Sequence, residues 1–332
     1  MACTYSLNWA GRLPIQCDPV TSFRQRAGIE AQIEEVRGMQ FGIMVSPSPA
    51  NGTLQQMWDA NERILAAAQR NSWSLWFCDH LQWGEGGMQP WVEGWTHMVH
   101  SSARFPELTV GTIVLGQNYR NPGLVANMAA AFQLLSGGKL VFGIGAGWKE
   151  DEYLAYDYEF LRPGLRLDQL EEQLQIIKAL WSGDHVTFEG THYRVRDAIA
   201  IPAPDPVPPI MIGGNGNRTI SVAAKYADWW NSDDLPAAEL RAKLARLRDK
   251  SVEFGRAPDA VLPTSFISIS VSEDADKVNR AANVAGTPDE VRDQLLEFHD
   301  AGSDYIQFNF IKDFPHIEEG LELVEDIARG LA

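Results

Sequence analysis

LTVGTIVLGQNYRNPGLVANMAAAFQLLSGGKLVFGIGAG, Leu108 to Gly147, reads as a complete strand, helix, strand unit. An apolar run from Leu108 to Leu115 leads through Gln117-Asn118-Tyr119-Arg120-Asn121-Pro122 into a helix that ends at Ser136-Gly137-Gly138, and KLVFGIGAG then forms the next strand, Lys139 to Gly147. Short apolar runs separated by longer segments of helical period are the signature of βα units around a parallel sheet.

The same rhythm continues outward in both directions. Upstream lie FGIMVSP (Phe41 to Pro47), a helix with Leu54, Trp58, Ile64, Leu65 and Ala68 near one face, the strand SLWFCDH (Ser74 to His80), and a helix from about Pro90. Downstream, the helix Arg166 to Trp181 carries an apolar stripe of Leu167, Leu170, Leu174, Ile177 and Leu180. The rhythm then breaks at a predicted hairpin, Val186 to Asp197, and a Pro-rich connector. It resumes with strand Pro209 to Gly214, helix Asn217 to Tyr226, strand ADWWN, helix Pro236 to Phe254 and strand Ser265 to Val271. Thr287-Pro288-Asp289-Glu290 has capping-box spacing before another helix, strand Tyr305 to Phe310 follows, and a last helix closes the chain. Strand starts at Phe41, Ser74, Leu108, Lys139, Pro209, Asp228, Ser265 and Tyr305 number eight, so the expected fold is an α/β (β/α)8 TIM barrel. It forms a single domain over 39–332 with an insertion at about 184–208, preceded by an N-terminal extension, 1–38, that wraps the surface, caps the barrel or serves an oligomer.

Composition narrows the function. The net charge is −16, from 44 acidic and 28 basic residues, which repels phosphate backbones and anionic membranes, so no nucleic-acid or membrane partner is expected. No apolar run approaches the roughly 18 to 20 residues that span a bilayer, and the N-terminus has neither a basic nor an apolar leader region, so a cytoplasmic location is expected. Cys3, Cys17 and Cys78 have no CxxC spacing, which indicates neither a disulfide framework nor a zinc site. Several of the 11 tryptophans crowd between Trp73 and Trp95, as in an aromatic-walled pocket or ordinary packing.

Barrel chemistry sits where strands end. Asp79-His80 ends the second strand, and glycines cluster at Gly143-x-Gly145-x-Gly147 and at Gly213-Gly214-Asn215-Gly216. Glycines at two strand-to-helix junctions suit backbone approaching an anionic ligand, and tight turns account for them equally well. His97 and His100 have metal-compatible spacing but no completing ligand, so they read as a surface pair and no metal is expected. Glu150, Asp151 and Glu152 read as helix-dipole residues or a general acid, Glu93 is similarly open, and Gln307 and Asn309 read as interior packing. There is no GxSxG and no cysteine nucleophile spacing to support a hydrolase.

The segments Val110 to Tyr158, Arg166 to Gly183, Thr187 to Ala198 and Pro208 to Asn231 together resemble luciferase-like oxidoreductases of the bacterial luciferase superfamily. The match is good from Phe41 to Asn231 and looser elsewhere. Tyr119-Arg120-Asn121-Pro122, the hairpin Thr187 to Arg196 and Ile210-Met211-Ile212-Gly213-Gly214 most resemble the branch that uses the deazaflavin coenzyme F420. The resemblance implies hydride transfer to or from F420 with a small organic substrate. The alternatives are a monooxygenase using reduced FMN from a separate reductase, or a flavin-binding protein without turnover. It implies that His80 exchanges a proton beside Asp79, whereas their bland reading is a turn cap and a packed ring. It further implies a non-proline cis bond near Ile113-Val114 behind the ring and Asn118 and Tyr119 at the ring's border. Gly145, Ala146, Gly147 and Trp148 would follow its side chain, with Gly213, Gly214 and Asn215 at its phosphate, and the protein would be a homodimer. Where sugar-phosphate dehydrogenases of the family carry a catalytic glutamate after the third glycine, Trp148 stands here. With Trp83 and Trp91, or Trp95, it points to an apolar or aromatic substrate.

Overall fold

The computed structural model describes residues 38–49 and 52–332; the expected extension, with Cys3 and Cys17, lies outside these except for Gly38. In chain order, β1 (Gln40–Met44) is followed by α1 (Leu54–Asn71), β2 (Ser74–Phe77), α2 (Gly94–Arg104), β3 (Val110–Thr112), β4 (Leu115–Gly116), α3 (Pro122–Leu135) and β5 (Leu140–Gly145). Next come α4 (Glu150–Ala155), α5 (Pro163–Leu180), the hairpin β6 (Val186–Glu189) and β7 (Arg194–Ala198), β8 (Ile210–Gly213), α6 (Asn217–Tyr226) and β9 (Trp229–Asp233). The chain ends with α7 (Ala237–Glu253), β10 (Leu262–Val271), β11 (Val284–Gly286), α8 (Pro288–Ala301), β12 (Tyr305–Asn309) and α9 (Ile317–Leu331).

Parallel pairing runs β1, β2, β3, β5, β8, β9, β10, β12 and returns to β1, which closes the barrel. All eight expected strands take part. The third is split into β3 and β4 at the Ile113–Val114 bond, which is cis and not prolyl. A further short strand, β11, pairs with the end of β10 outside the ring. The helix expected from about Pro90 begins at Gly94, with Glu93 as its N-cap accepting from the Trp95 and Thr96 amides. Pro90 belongs instead to a loop bridged between Trp83 and Gln89. The acidic stretch after β5 is a helix of its own, α4.

Alternation along each strand sends one set of side chains out to the helices and the other into the barrel. Ile43, Leu75, Phe142, Ile212 and Phe308 face the helical layer in one continuous core. Inside, Met44, Trp76, Ile113, Val141, Met211 and Tyr305 plug the barrel. The fully buried Trp76 donates its indole N–H to Ser74 Oγ at 2.7 Å, and Ser74 Oγ lies 2.7 Å from the Tyr305 hydroxyl. Gln307 and Asn309 do lie inside: Asn231 Nδ2 donates to Gln307 Oε1 at 2.6 Å, and Asn309 Nδ2 donates to the Ile267 carbonyl. These bonds satisfy polar groups that would otherwise be costly to bury.

Candidate active site

A cavity of about 500 Å³ opens at the C-terminal ends of the barrel strands. Asp79 and His80, just past β2, both line it. The Asp79 carboxylate accepts two bonds from Arg120, at 2.7 and 2.8 Å, and one from the Gly116 amide at 3.0 Å. Arg120 also donates to Glu93 Oε1 at 2.7 Å. One bidentate pair thus ties the loop after β2 to β4 and to the start of α2. These bonds hold the backbone next to His80 in place.

His80 Nδ1 lies 2.8 Å from Glu152 Oε2, and the Tyr119 hydroxyl donates to the same oxygen at 2.7 Å. Glu152 Oε1 accepts from the Leu81 and Gln82 amides. Burial alone would raise the pKa of this fully buried carboxyl. The hydrogen bond and charge of His80, with the Leu81 amide and Tyr119, outweigh burial and hold it below the ordinary carboxylate range. Glu152 is therefore ionised at neutral pH and can only accept, so His80 Nδ1 carries the proton and Nε2 is left for the cavity. Tyr119, raised by burial and then by Glu152, stays a neutral donor. Around the imidazole stand Trp83, Trp91 and Trp148, with ring centroids 4.9, 5.5 and 5.6 Å away. Trp95 is elsewhere, edge-on to Phe132.

One expectation is sharpened here and one is corrected. Glu150, Asp151 and Glu152 all occupy the first turn of α4, and of the three Glu152 also turns inward to His80. His97 is not on the surface: it is 3% exposed between Phe77 and Trp58, and burial, then His100, pushes its pKa down to about 4.

At the cis bond, Ile113 and Val114 border the cavity. Val114 sits on two glycines: a Cβ on Gly145 would lie 2.8 Å from Val114 Cγ2, and one on Gly213 2.9 Å from Cγ1. Much of the glycine signal thus serves close approach by Val114. Ala146, Gly147, Trp148, Gly214 and Thr219 continue the lining. Gly214 donates its amide to the Asn231 carbonyl, whereas α6 starts with no side-chain cap, leaving first-turn amides suited to an anion. The buried Tyr153 hydroxyl, also lining, has no hydrogen-bond partner among the described residues. An aromatic ring system bearing a polar side chain and a phosphate fits these features. Asn118 and Asn215 are absent from the lining; Asn118 Nδ2 donates to the Glu159 carbonyl and Asn215 Nδ2 to the Asp233 carbonyl. Among the described residues no cluster of His, Cys, Asp and Glu could hold a metal, and no helix is long and apolar enough to cross a membrane.

A closed parallel barrel with an aromatic-walled cavity at its C-terminal rim defines a (β/α)8 protein built to hold small molecules. The sequence profile of the luciferase-like monooxygenase family matches residues 39–285, and the chain belongs to that family. It is 28% identical over 279 residues to an F420-dependent glucose-6-phosphate dehydrogenase of Amycolatopsis mediterranei, covering 71% of this chain and 83% of that protein. It is 31% identical over 208 residues to a protein of the same name from Microbacterium testaceum, covering 61% of each. Among solved structures, an F420-dependent secondary alcohol dehydrogenase in complex with an F420–acetone adduct superposes with a TM-score of 0.77 at 18% identity, covering 89% of this chain and 99% of that one.

The sequence assigns no role to Arg120, and it leaves Glu152 as one of three adjacent acids open to a helix-dipole or a general-acid role. For Glu152 the only signal was its place in an acidic run after the glycine motif.

Proposed function

We propose that this protein is an F420-dependent oxidoreductase acting on a small apolar or aromatic organic substrate. The observation that carries the reading is His80, oriented by the buried Glu152 at the wall of a cavity of about 500 Å³. The F420-dependent relatives support the choice of cofactor. When bound, F420 supplies or accepts the hydride.

The chain's own groups do the rest. Ile113 and Val114 back the ring, Tyr119 borders it, Gly145 to Trp148 line its side chain, and Gly213, Gly214 and the first turn of α6 hold the phosphate. Asn215 acts there by pinning the backbone of Asp233, and Asn118 by tying its loop to Glu159. His80 Nε2 gives a proton to, or takes one from, the substrate atom that changes charge, while Glu152 holds the ring through Nδ1. Asp79 fixes the loop that carries His80. Trp83, Trp91 and Trp148 exclude water and form the apolar wall. The three tryptophans, with Trp148 after Gly147, favour such a substrate over a sugar phosphate. A cytoplasmic homodimer belongs to the same proposal.

Titration of the purified protein with F420 and with FMN, followed by fluorescence quenching, tests the cofactor. F420 binding is expected. FMN binding without F420 binding overturns the choice in favour of the reduced-FMN monooxygenase with its reductase, and binding of neither overturns both.

A further inference from the structure

We infer that the substrate carries a basic nitrogen, bound as a cation between the Asp233 carboxylate and the tryptophan wall. The inference rests on the oxidoreductase reading for the identity of the site and adds the substrate's charge.

In the closed ring β9 lies four strands from β2. Asp233, the last residue of β9, therefore faces the end of β2 and its His80 across the barrel mouth. Asn215 pins its backbone from both sides, donating to the Asp233 carbonyl at 2.7 Å and accepting from the Asp233 amide at 3.1 Å. The carboxylate has no hydrogen-bond or ion-pair partner among the described residues; burial first, and then the neighbouring Asp234, raises its pKa, while the charges of Lys312 and His80 act to lower it. The nearby Cys78 thiol is pushed up to about 12, by burial first and then by Asp233 and Asp79.

The other charges of the cavity are already matched. Three aspartates line it, and two of them are neutralised, Asp79 by Arg120 and Asp234 by Lys312 at 3.2 Å. Both lining lysines are taken as well, Lys312 by Asp234 and Lys149 by Asp151. An anionic substrate would find no unpaired lysine or arginine there and would meet the exposed Asp233 carboxylate at the rim. A protonated amine would meet an unpaired carboxylate and indole faces, the combination that recognises organic cations. The stacked Trp83 and Trp91, with centroids 5.0 Å apart, and Trp148, 6.1 Å from Trp83, supply those faces.

The test compares three probes of one shape, phenethylamine, phenethyl alcohol and phenylacetate, titrated calorimetrically into the full-length protein with and without F420. The amine is expected to bind at least about tenfold tighter than the alcohol, with phenylacetate weakest. Asp233→Asn should reduce the amine preference to about twofold or less, and Asp233→Glu should retain most of it. An amine that binds no tighter than the alcohol in wild-type protein, including binding of neither, overturns the proposal whether or not the variants fold. A preference that survives Asp233→Asn also overturns it. F420 binding with no amine preference refutes only this proposal; amine preference without F420 binding refutes only the cofactor.

Discussion

Glu152 accepts from His80 Nδ1 at 2.8 Å while completely buried, and it comes from a helix that follows β5, two barrel strands beyond β2, which His80 follows. The pair ties two βα segments together at the cavity wall. His80→Ala should lower kcat by about 10²- to 10⁴-fold, the usual worth of a general acid or base. Glu152→Gln keeps the shape but removes the charge, and should cost about tenfold to a hundredfold in kcat. The Kd for F420, read by fluorescence, should stay within a few-fold in both. An unchanged kcat in Glu152→Gln would remove the carboxylate from the mechanism.

Acid stability should report His97. Its pKa falls from an ordinary 6.5 to about 4 in the folded protein because burial, and then His100, disfavours the charged ring. Above 6.5 neither state takes up the proton and stability is unaffected. Between 6.5 and 4 the unfolded chain binds a proton that the folded one refuses, so stability falls by up to about 3 kcal/mol. His97→Leu should flatten that part of the profile. Urea unfolding at several pH values checks it, and parallel wild-type and variant profiles would contradict it.

The close approach of Val114 to Gly145 and Gly213 makes a pairwise prediction. Gly145→Ala places a methyl 2.8 Å from Val114 Cγ2 and should destabilise by about 1 to 3 kcal/mol through overpacking. Adding Val114→Ala removes the clashing atoms and should recover part of that loss, with a coupling of at least about 0.5 kcal/mol in a double-mutant cycle. Strict additivity would mean that the two residues do not compete for the space.

Two tryptophans should behave in opposite ways. Trp148 is 63% exposed at the rim, so Trp148→Ala should leave unfolding free energy within about 0.5 kcal/mol while weakening substrate binding. Trp76, fully buried inside the barrel, should cost about 3 to 5 kcal/mol when cut to alanine. Chemical denaturation of both variants, with KM for the substrate, separates the roles.

What was legible in the sequence was what repeats locally. Eight apolar runs spaced by helical segments appear as the eight strands, and the Thr287 to Glu290 signal starts α8, where Glu290 accepts from the Thr287 amide at 2.9 Å. Less legible were features set by neighbours distant in sequence. Pro90 promised a helix start, but Glu93 offered the first-turn amides a better acceptor and α2 began there. His97 read with His100 as a surface pair, yet its ring meets Phe77 and Trp58. The glycine motifs pointed to a ligand, and two of them turned out to receive Val114.

The sequence by itself determined the barrel and pointed to the rim where its cavity opens, because strand and helix periods are local and barrel cavities lie at strand ends. Only the tertiary structure decided which of three adjacent acids serves His80, and that Asp233 alone among the lining aspartates lacks a partner among the described residues. Those outcomes depend on which charges the closed ring brings within hydrogen-bond reach and which it seals from water, and the spacing of residues along the chain encodes neither.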